Sequence, residues 1–317
     1  MTLPDLPPRF LPPAGWQDGA FKNNGHELVY GYVLPEQTPK SAVVILAGRS
    51  EFREKYFETM HDLLARGYGV FIMDWYGQGR SERMSGNSRK DWNIPYETHL
   101  SDLNEFIQHH VRPRLAPHTP LHMLAHSMGG NIGLRYLIDS PDEFGMAAVS
   151  APLLGLKLVR FLPLSLSIGI ANSRNPEDYI FSGGDDNHKP RQTPGAGIFS
   201  TDPVRDAVHM AWVRANPELG HGDATYGWVK HSLISCKKIF STGALEKIKV
   251  PCIMATARQE SLVDNLAALR AARRISDITF LDLPNARHEI IMERDGTRGV
   301  FLKAFDNLAA RVNMAPA

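Results

Sequence analysis

The feature that most restricts the fold of this chain is a series of short, largely apolar runs. Residues 42–47 (Ala-Val-Val-Ile-Leu-Ala), 69–74 (Gly-Val-Phe-Ile-Met-Asp), 121–125 and 145–151 lack the alternation of a strand with one wet face. Such runs fit strands buried on both faces, which is typical of parallel sheets. Between them lie stretches of helical spacing: Phe57, Met60, Leu63 and Leu64 before Gly67, then Leu100, Leu103, Ile107 and Val111 within 96–114, then 129–139 before Pro141. Strand and helix alternate, and the alternation predicts a mostly parallel sheet with helices on both faces. It resumes with a strand at 251–256, a helix at 264–274, a strand at 278–282 and a last helix at about 297–312. Residues 28–33 predict a further strand at the sheet's rim.

Residues 152–235 interrupt this pattern with many Pro and Gly, an acidic turn at 183–186 and short helical patterns. We read them as an inserted, mainly helical cap. The expected organisation is a core from 1–152, a cap from 153–235 and the rest of the core from 236–317. Lys+Arg number 35 and Asp+Glu 34, a net charge of +1. That balance argues against a nucleic-acid partner, which calls for a basic excess to meet phosphates. Cys236 and Cys252 have no metal-ligand spacing and make no disulfide framework, so free thiols of a reducing compartment are expected. The Pro-rich start lacks a basic region followed by an apolar run, and no stretch of ~18 apolar residues follows. A cytoplasmic chain is expected, with a peripheral membrane contact reserved for residues 152–171.

His122-Met123-Leu124-Ala125-His126-Ser127-Met128-Gly129-Gly130 ends a strand and begins a helix. A strand entering a helix through one tight turn strains the residue at the corner and crowds its neighbours, so small residues are needed at Ala125 and Gly129. Ser127 would stand above the sheet's carboxyl edge, where the helix N-terminus favours developing negative charge. The other reading of Ser127 is an ordinary N-cap. Ala125 to Gly130 resembles the nucleophile elbow of the α/β-hydrolase superfamily. Gly48-Arg49-Ser50-Glu51 and Asp74-Trp75-Tyr76-Gly77-Gln78-Gly79-Arg80-Ser81 resemble its lysophospholipase and monoacylglycerol lipase branch, and Val263-Asp264-Asn265 is similar to a segment of bacterial lysophospholipases. The resemblance spans about residues 25–310 and is weak in 155–235. It implies an α/β-hydrolase fold.

The superfamily's chain order of Ser, acid and His implies His288, the one histidine after the 278–282 strand, as base. For the acid, the match on Val263-Asp264-Asn265 places Glu260 at the family's carboxylate position, with Asp264 as the competing choice. Whichever is not the acid is expected to cap the next helix. The oxyanion hole is implied to use the backbone N–H groups of Met128 and Arg49. Ala47 stands where the monoglyceride-lipase form carries His. The Arg49 side chain reads either as a contact for an anionic head group or as a solvated loop arginine.

Two other motifs fail. Gly77-Gln78-Gly79 lacks the third glycine of a dinucleotide fingerprint, Glu82 standing in its place, and His288-Glu289-Ile290-Ile291-Met292 lacks the second histidine of a zinc motif. No metal or cofactor is expected. The apolar stretch 152–171, including Leu153, Leu158 and Phe161, is expected to form a lid over an acyl pocket or to pack on the core. Trp212, Trp228 and Tyr226 are expected either to join that pocket or to fill the cap's core. The resemblance implies a serine hydrolase acting on a lipid ester with one acyl chain, lysophospholipid or monoacylglycerol. A small-ester esterase or thioesterase with the same residues is the near alternative, and a non-catalytic ligand-binding relative the distant one. The sequence leaves acyl length and oligomeric state open.

Overall fold

The computed structural model describes residues 1–84, 86–181, 183–186 and 191–314. Its centre is one eight-stranded sheet in the order β1-β2-β4-β3-β5-β6-β7-β8. The strands are β1 (Gln17–Asn23), β2 (His26–Val33), β3 (Ala42–Leu46), β4 (Gly69–Met73), β5 (Leu121–His126), β6 (Met146–Ser150), β7 (Cys252–Ala257) and β8 (Ile278–Leu283). β1 pairs antiparallel with β2 and β2 with β4; every pairing from β4 to β8 is parallel. β3 to β7 are buried along their whole length, which is why they read as largely apolar runs without polar alternation.

Helices cover both faces. Successive side chains of a strand point to opposite sides. Met123 of β5 lies under α3 (Met128–Asp139), where a Cβ on Gly133 would come 2.5 Å from its sulfur. The next residue back, His122, faces Tyr68, which also packs edge-on against Phe305 of α8 (Asp295–Met314). α3 and α8 therefore sit on opposite faces. α8 lies beside α1 (Phe57–Ala65), tied to it by the Arg298–Asp62 ion pair at 2.5 Å.

Two elements differ from the sequence expectation. β1 was not anticipated, because only Phe21 of that edge strand is buried and its pattern is otherwise polar. The helix expected over 96–114 is α2 (Tyr96–Glu105), followed by a π-helical turn (Phe106–Val111) and a 3-10 turn (Arg112–Arg114). Phe106, Ile107 and Val111 stay buried through the wider turn.

The insertion between β6 and β7 carries α4 (Leu164–Asn172), α5 (Pro203–Ala215) and α6 (Tyr226–Ile239). The expected boundary at residue 235 falls inside α6. That helix is fastened to α3, with Ser235 Oγ donating to Asn131 Oδ1 at 2.5 Å. After β7 comes α7 (Asn265–Ala272). Among the described residues no helix is long and apolar enough to cross a membrane.

Candidate active site

The strand-to-helix corner has the geometry that the small residues foretold. Ser127 takes φ 50° and ψ −113°, a strained region for a residue with a side chain. Its backbone is held by Ser127 N donating to Ser150 O (3.0 Å) and Ser127 O accepting from Leu153 N (2.9 Å). A Cβ on Gly129 would come 2.1 Å from Leu46 O, so only glycine lets the corner nest against the end of β3.

Two loops at the same edge of the sheet complete the group. His288 follows β8, and its Nε2 lies 3.0 Å from Ser127 Oγ. Its Nδ1 lies 2.8 Å from Glu260 Oε2, in the loop after β7. The carboxylate accepts only, so Nδ1 carries the proton and Nε2 is left to accept from the serine hydroxyl. The other Glu260 oxygen accepts from the N–H groups of Ser261 (2.8 Å) and Leu262 (2.7 Å). Burial works against a charge on Glu260, but His288 and the N–H groups of Leu262 and Val263 outweigh it and hold its pKa below the ordinary value. On His288 burial again opposes the charge, and Glu260 overcomes it, raising the pKa above the usual imidazole value of 6.5. Asp264 does not join the group. It is the N-cap of α7, its Oδ1 accepting from Leu266 N at 3.0 Å.

The group opens into a cavity of about 490 Å³, within the roughly 300–1,000 Å³ range of small-molecule sites. Much of the lining is apolar, including Leu153, Leu156, Leu158, Ile180, Phe181, Trp228, Val229, Leu262 and Val263. Of the expected pocket residues, Leu153, Leu158 and Trp228 line it. Trp212 does not: it is fully buried and packs edge-on against Phe57, centroids 5.7 Å apart, as part of the main core. Phe161 does not either. It is 85% exposed and sits under the Arg160 guanidinium, on the outside of the cap. Tyr226 also lies off the lining.

Beside the cavity, and contributing Glu51, Arg191 and Glu289 to its lining, lies a buried ion network that the sequence reading missed. Lys55 Nζ sits 2.6 Å from both Glu51 Oε1 and Glu289 Oε1, and Arg191 pairs with Glu289 and with Asp206. Glu51 Oε2 accepts from Tyr56 O–H and from Gly48 N, each at 2.5 Å. Burial opposes charge on Glu289, yet Arg191 and Lys55 hold its pKa well below the usual range. His126 beside them stays neutral, burial pushing its pKa down to about 4. The Glu51-to-Lys55 spacing of four was the one signal available in advance. Glu289, seen as half of a failed zinc motif, is a partner in this network instead. No group of three or more His, Cys, Asp or Glu among the described residues is placed to hold a metal.

Arg49 overturns both readings of its side chain. The guanidinium forks onto Asp91 (2.8 and 3.0 Å), donates to the carbonyls of Asp223 (2.8 Å) and Gly222 (3.2 Å), and stacks on Trp228. It is a strut between core and insertion, free neither for solvent nor for a head group. Among the described residues the N–H groups of Arg49 and Met128 meet no acceptor. Lys157, one of the charges interrupting the apolar stretch, donates to the Glu260 carbonyl and so ties the start of the insertion to the loop of that carboxylate.

The family model described as Hydrolase_4, Serine aminopeptidase, S33, matches residues 37–295. The chain is 29% identical to lysophospholipase L2 of Escherichia coli over 86% of its own length and 81% of that protein's. It is 30% identical to monoacylglycerol lipase of Mycolicibacterium smegmatis, over 40% of this chain and 43% of the other. The fold is similar to that of a soluble variant of monoglyceride lipase from Saccharomyces cerevisiae, with a TM-score of 0.73, 18% identity and coverage of 94% and 96% of the two chains. The chain belongs to the Hydrolase_4 family of α/β-hydrolases, in the branch of the lysophospholipases and monoglyceride lipases.

Proposed function

We propose that the protein is a serine hydrolase of single-chain lipid esters, lysophospholipids or monoacylglycerols, with Ser127 as nucleophile, His288 as base and Glu260 as its supporting carboxylate. The observation that carries this is the Glu260–His288–Ser127 hydrogen-bonded series opening onto a largely apolar lining. Ser127 Oγ attacks the ester carbonyl while its proton passes to His288 Nε2. The negative oxygen of the tetrahedral intermediate accepts from the Arg49 and Met128 N–H groups. The C–O bond to the alcohol breaks, and the alcohol leaves with the proton from Nε2. Water then attacks the acyl carbonyl while giving a proton to Nε2; the bond from the acyl carbon to Ser127 Oγ breaks, Oγ takes that proton back from Nε2, and the fatty acid leaves.

The names of the relatives support an ester, whereas the family description names an aminopeptidase. A peptide's free amino end calls for an unneutralised carboxylate in the cavity lining. Glu51 and Glu289 are already paired with Lys55 and Arg191, and the third lining carboxylate, Asp223, accepts from Gly184 N at 3.0 Å; the run of apolar side chains along the lining favours the ester. The exposed apolar side chains of Phe161, Leu162, Leu166 and Ile170 lie on and beside α4, and they fit a cap that rests on lipid aggregates. The deciding experiment is a panel of p-nitrophenyl acyl esters, monoolein, lysophosphatidylcholine and an amino-acid anilide. The reading predicts turnover of octanoate and longer esters above acetate, and none of the anilide. Acetate hydrolysed as fast as octanoate contradicts the lipid reading in favour of a small-ester esterase or thioesterase.

A further inference from the structure

The Gly77-Gln78-Gly79 turn, which fails as a dinucleotide motif, has no part in the reaction as written, yet its central side chain is buried against the loop after β3. Gly79 is obligatory: its φ is +57°, and a Cβ there would come 2.2 Å from Asp74 Cγ. The turn places the Gln78 amide at the Gly48-to-Glu51 loop. Gln78 Nε2 donates to Gly48 O (2.8 Å) and to Glu51 O (3.2 Å), and Gln78 Oε1 accepts from Ser50 N (3.2 Å). Two carbonyls on one side and an N–H on the other fix which way the amide points.

Two successive peptides of this loop hold four polar groups. Ala47 O accepts from Trp75 Nε1 (2.9 Å), Gly48 N donates to Glu51 Oε2 (2.5 Å), and Gly48 O accepts from Gln78 Nε2 at 2.8 Å and, at the longer distance of 3.4 Å, from Glu51 N. The fourth, Arg49 N–H, meets no acceptor among the described residues, although Arg49 lines the cavity with Ser127. Buried backbone donors are nearly always paired, so a donor left open at a cavity wall is one kept for a ligand. The peptide is trans and planar, so its C=O and N–H point opposite ways. Whatever grips Gly48 O therefore aims Arg49 N–H.

We infer that Gln78 is a positioning residue for the oxyanion: by holding Gly48 O it turns the Arg49 N–H toward the carbonyl attacked by Ser127. This rests on the reading of Ser127 as nucleophile. Gln78 touches no substrate; it acts through the peptide.

Gln78→Glu keeps the size but sets a carboxylate against two carbonyl oxygens, which pushes the peptide away. Its kcat for p-nitrophenyl butyrate is expected to fall about 10²-fold, the scale of losing one such donor, with KM within about 3-fold. The affinity for an alkyl trifluoromethyl ketone, whose hemiketal oxyanion occupies the same place, is expected to fall by a similar factor. Gln78→Met, uncharged and of similar volume, decides the matter should Gln78→Glu not fold, and circular dichroism monitors both. A folded variant with kcat within 3-fold of wild type overturns the inference. So does a loss of kcat with unchanged ketone affinity, since that marks a structural role. Ser127→Ala separates the two readings: if it retains turnover the nucleophile is wrong, whereas if it is inactive and Gln78→Glu behaves as wild type, only the role of Gln78 falls.

Discussion

The floor and the roof of the cavity are built on different physics. The floor is polar and fixed. Arg205 of α5 forks onto Glu58 of α1 at 2.7 and 2.9 Å, and Arg191 is buried against Glu289 and Asp206. Trp212 adds apolar contact with Phe57. Such pairs are directional, and pulling one partner away strands a buried charge, so this half of the insertion behaves as part of the core. The roof is the other half, residues 156–181 with α4. It rests on α6 through a small separate cluster of Ala171, Val229 and Leu233, flanked by Leu156, Val159, Leu164 and Ile168. Apolar contact is non-directional and tolerates sliding. One insertion thus supplies a rigid wall beside the chemistry and an adaptable cover over the acyl chain.

That contrast is open to attack at several points. The largest effect belongs to the chemistry that floor and roof enclose. Glu260→Gln should lower kcat by roughly 10²–10⁴, equally for short and long esters, because the charge that supports the imidazolium is lost. Asp264→Asn should stay within about 3-fold, since it caps α7. The opposite ranking, in steady-state assays on both variants, moves the acid to Asp264.

Next comes the fastening. Arg191→Met leaves Glu289 and Asp206 short of a partner and should cost about 3–5 kcal/mol in urea unfolding. A loss under 1 kcal/mol makes the floor no more rigid than the roof. On the roof, Leu158→Ser should reduce kcat/KM for long monomeric esters by about 5-fold and leave acetate unchanged, the scale of losing part of one leucine's burial. Phe161→Ser, off the cavity, should leave both unchanged and weaken only binding to lipid vesicles. Equal effects of the two serines on chain-length dependence erase the distinction between lining and outer surface.

The smallest effect is in pH. His288 must be neutral to accept the serine proton, so activity falls as pH drops through its pKa. The acid limb of kcat/KM should lie above 6.5, because Glu260 raises the value, and should move down in Glu260→Gln. A limb that stays in place assigns it to another group.

The sheet was legible because β3 to β7 are buried on both faces, a condition that writes itself into composition. β1 was not, because an edge strand with one buried residue resembles a loop. The corner at Ser127 was legible because strain and crowding demand small residues at fixed spacing. The cap was less so: an apolar run announces burial without naming the neighbour, and of Leu158 and Phe161, three apart, only Leu158 lines the cavity. Arg49 was opaque for another reason. Its acceptors Asp91 and Asp223 lie 42 and 174 positions away, and no local pattern encodes such a pair. The same holds for Arg191 and Glu289, 98 positions apart.

The central claim is that Ser127 forms an acyl-enzyme with a single-chain lipid ester. The direct measurement is intact-protein mass spectrometry after rapid acid quench of the enzyme mixed with monoolein or lysophosphatidylcholine, with the modified peptide then sequenced. The account predicts a transient mass gain of one acyl group on the peptide carrying Ser127, absent in Ser127→Ala, and longer-lived in His288→Ala wherever it forms. Fatty acid released by Ser127→Ala at the wild-type rate, or an acyl group found on another residue, contradicts it.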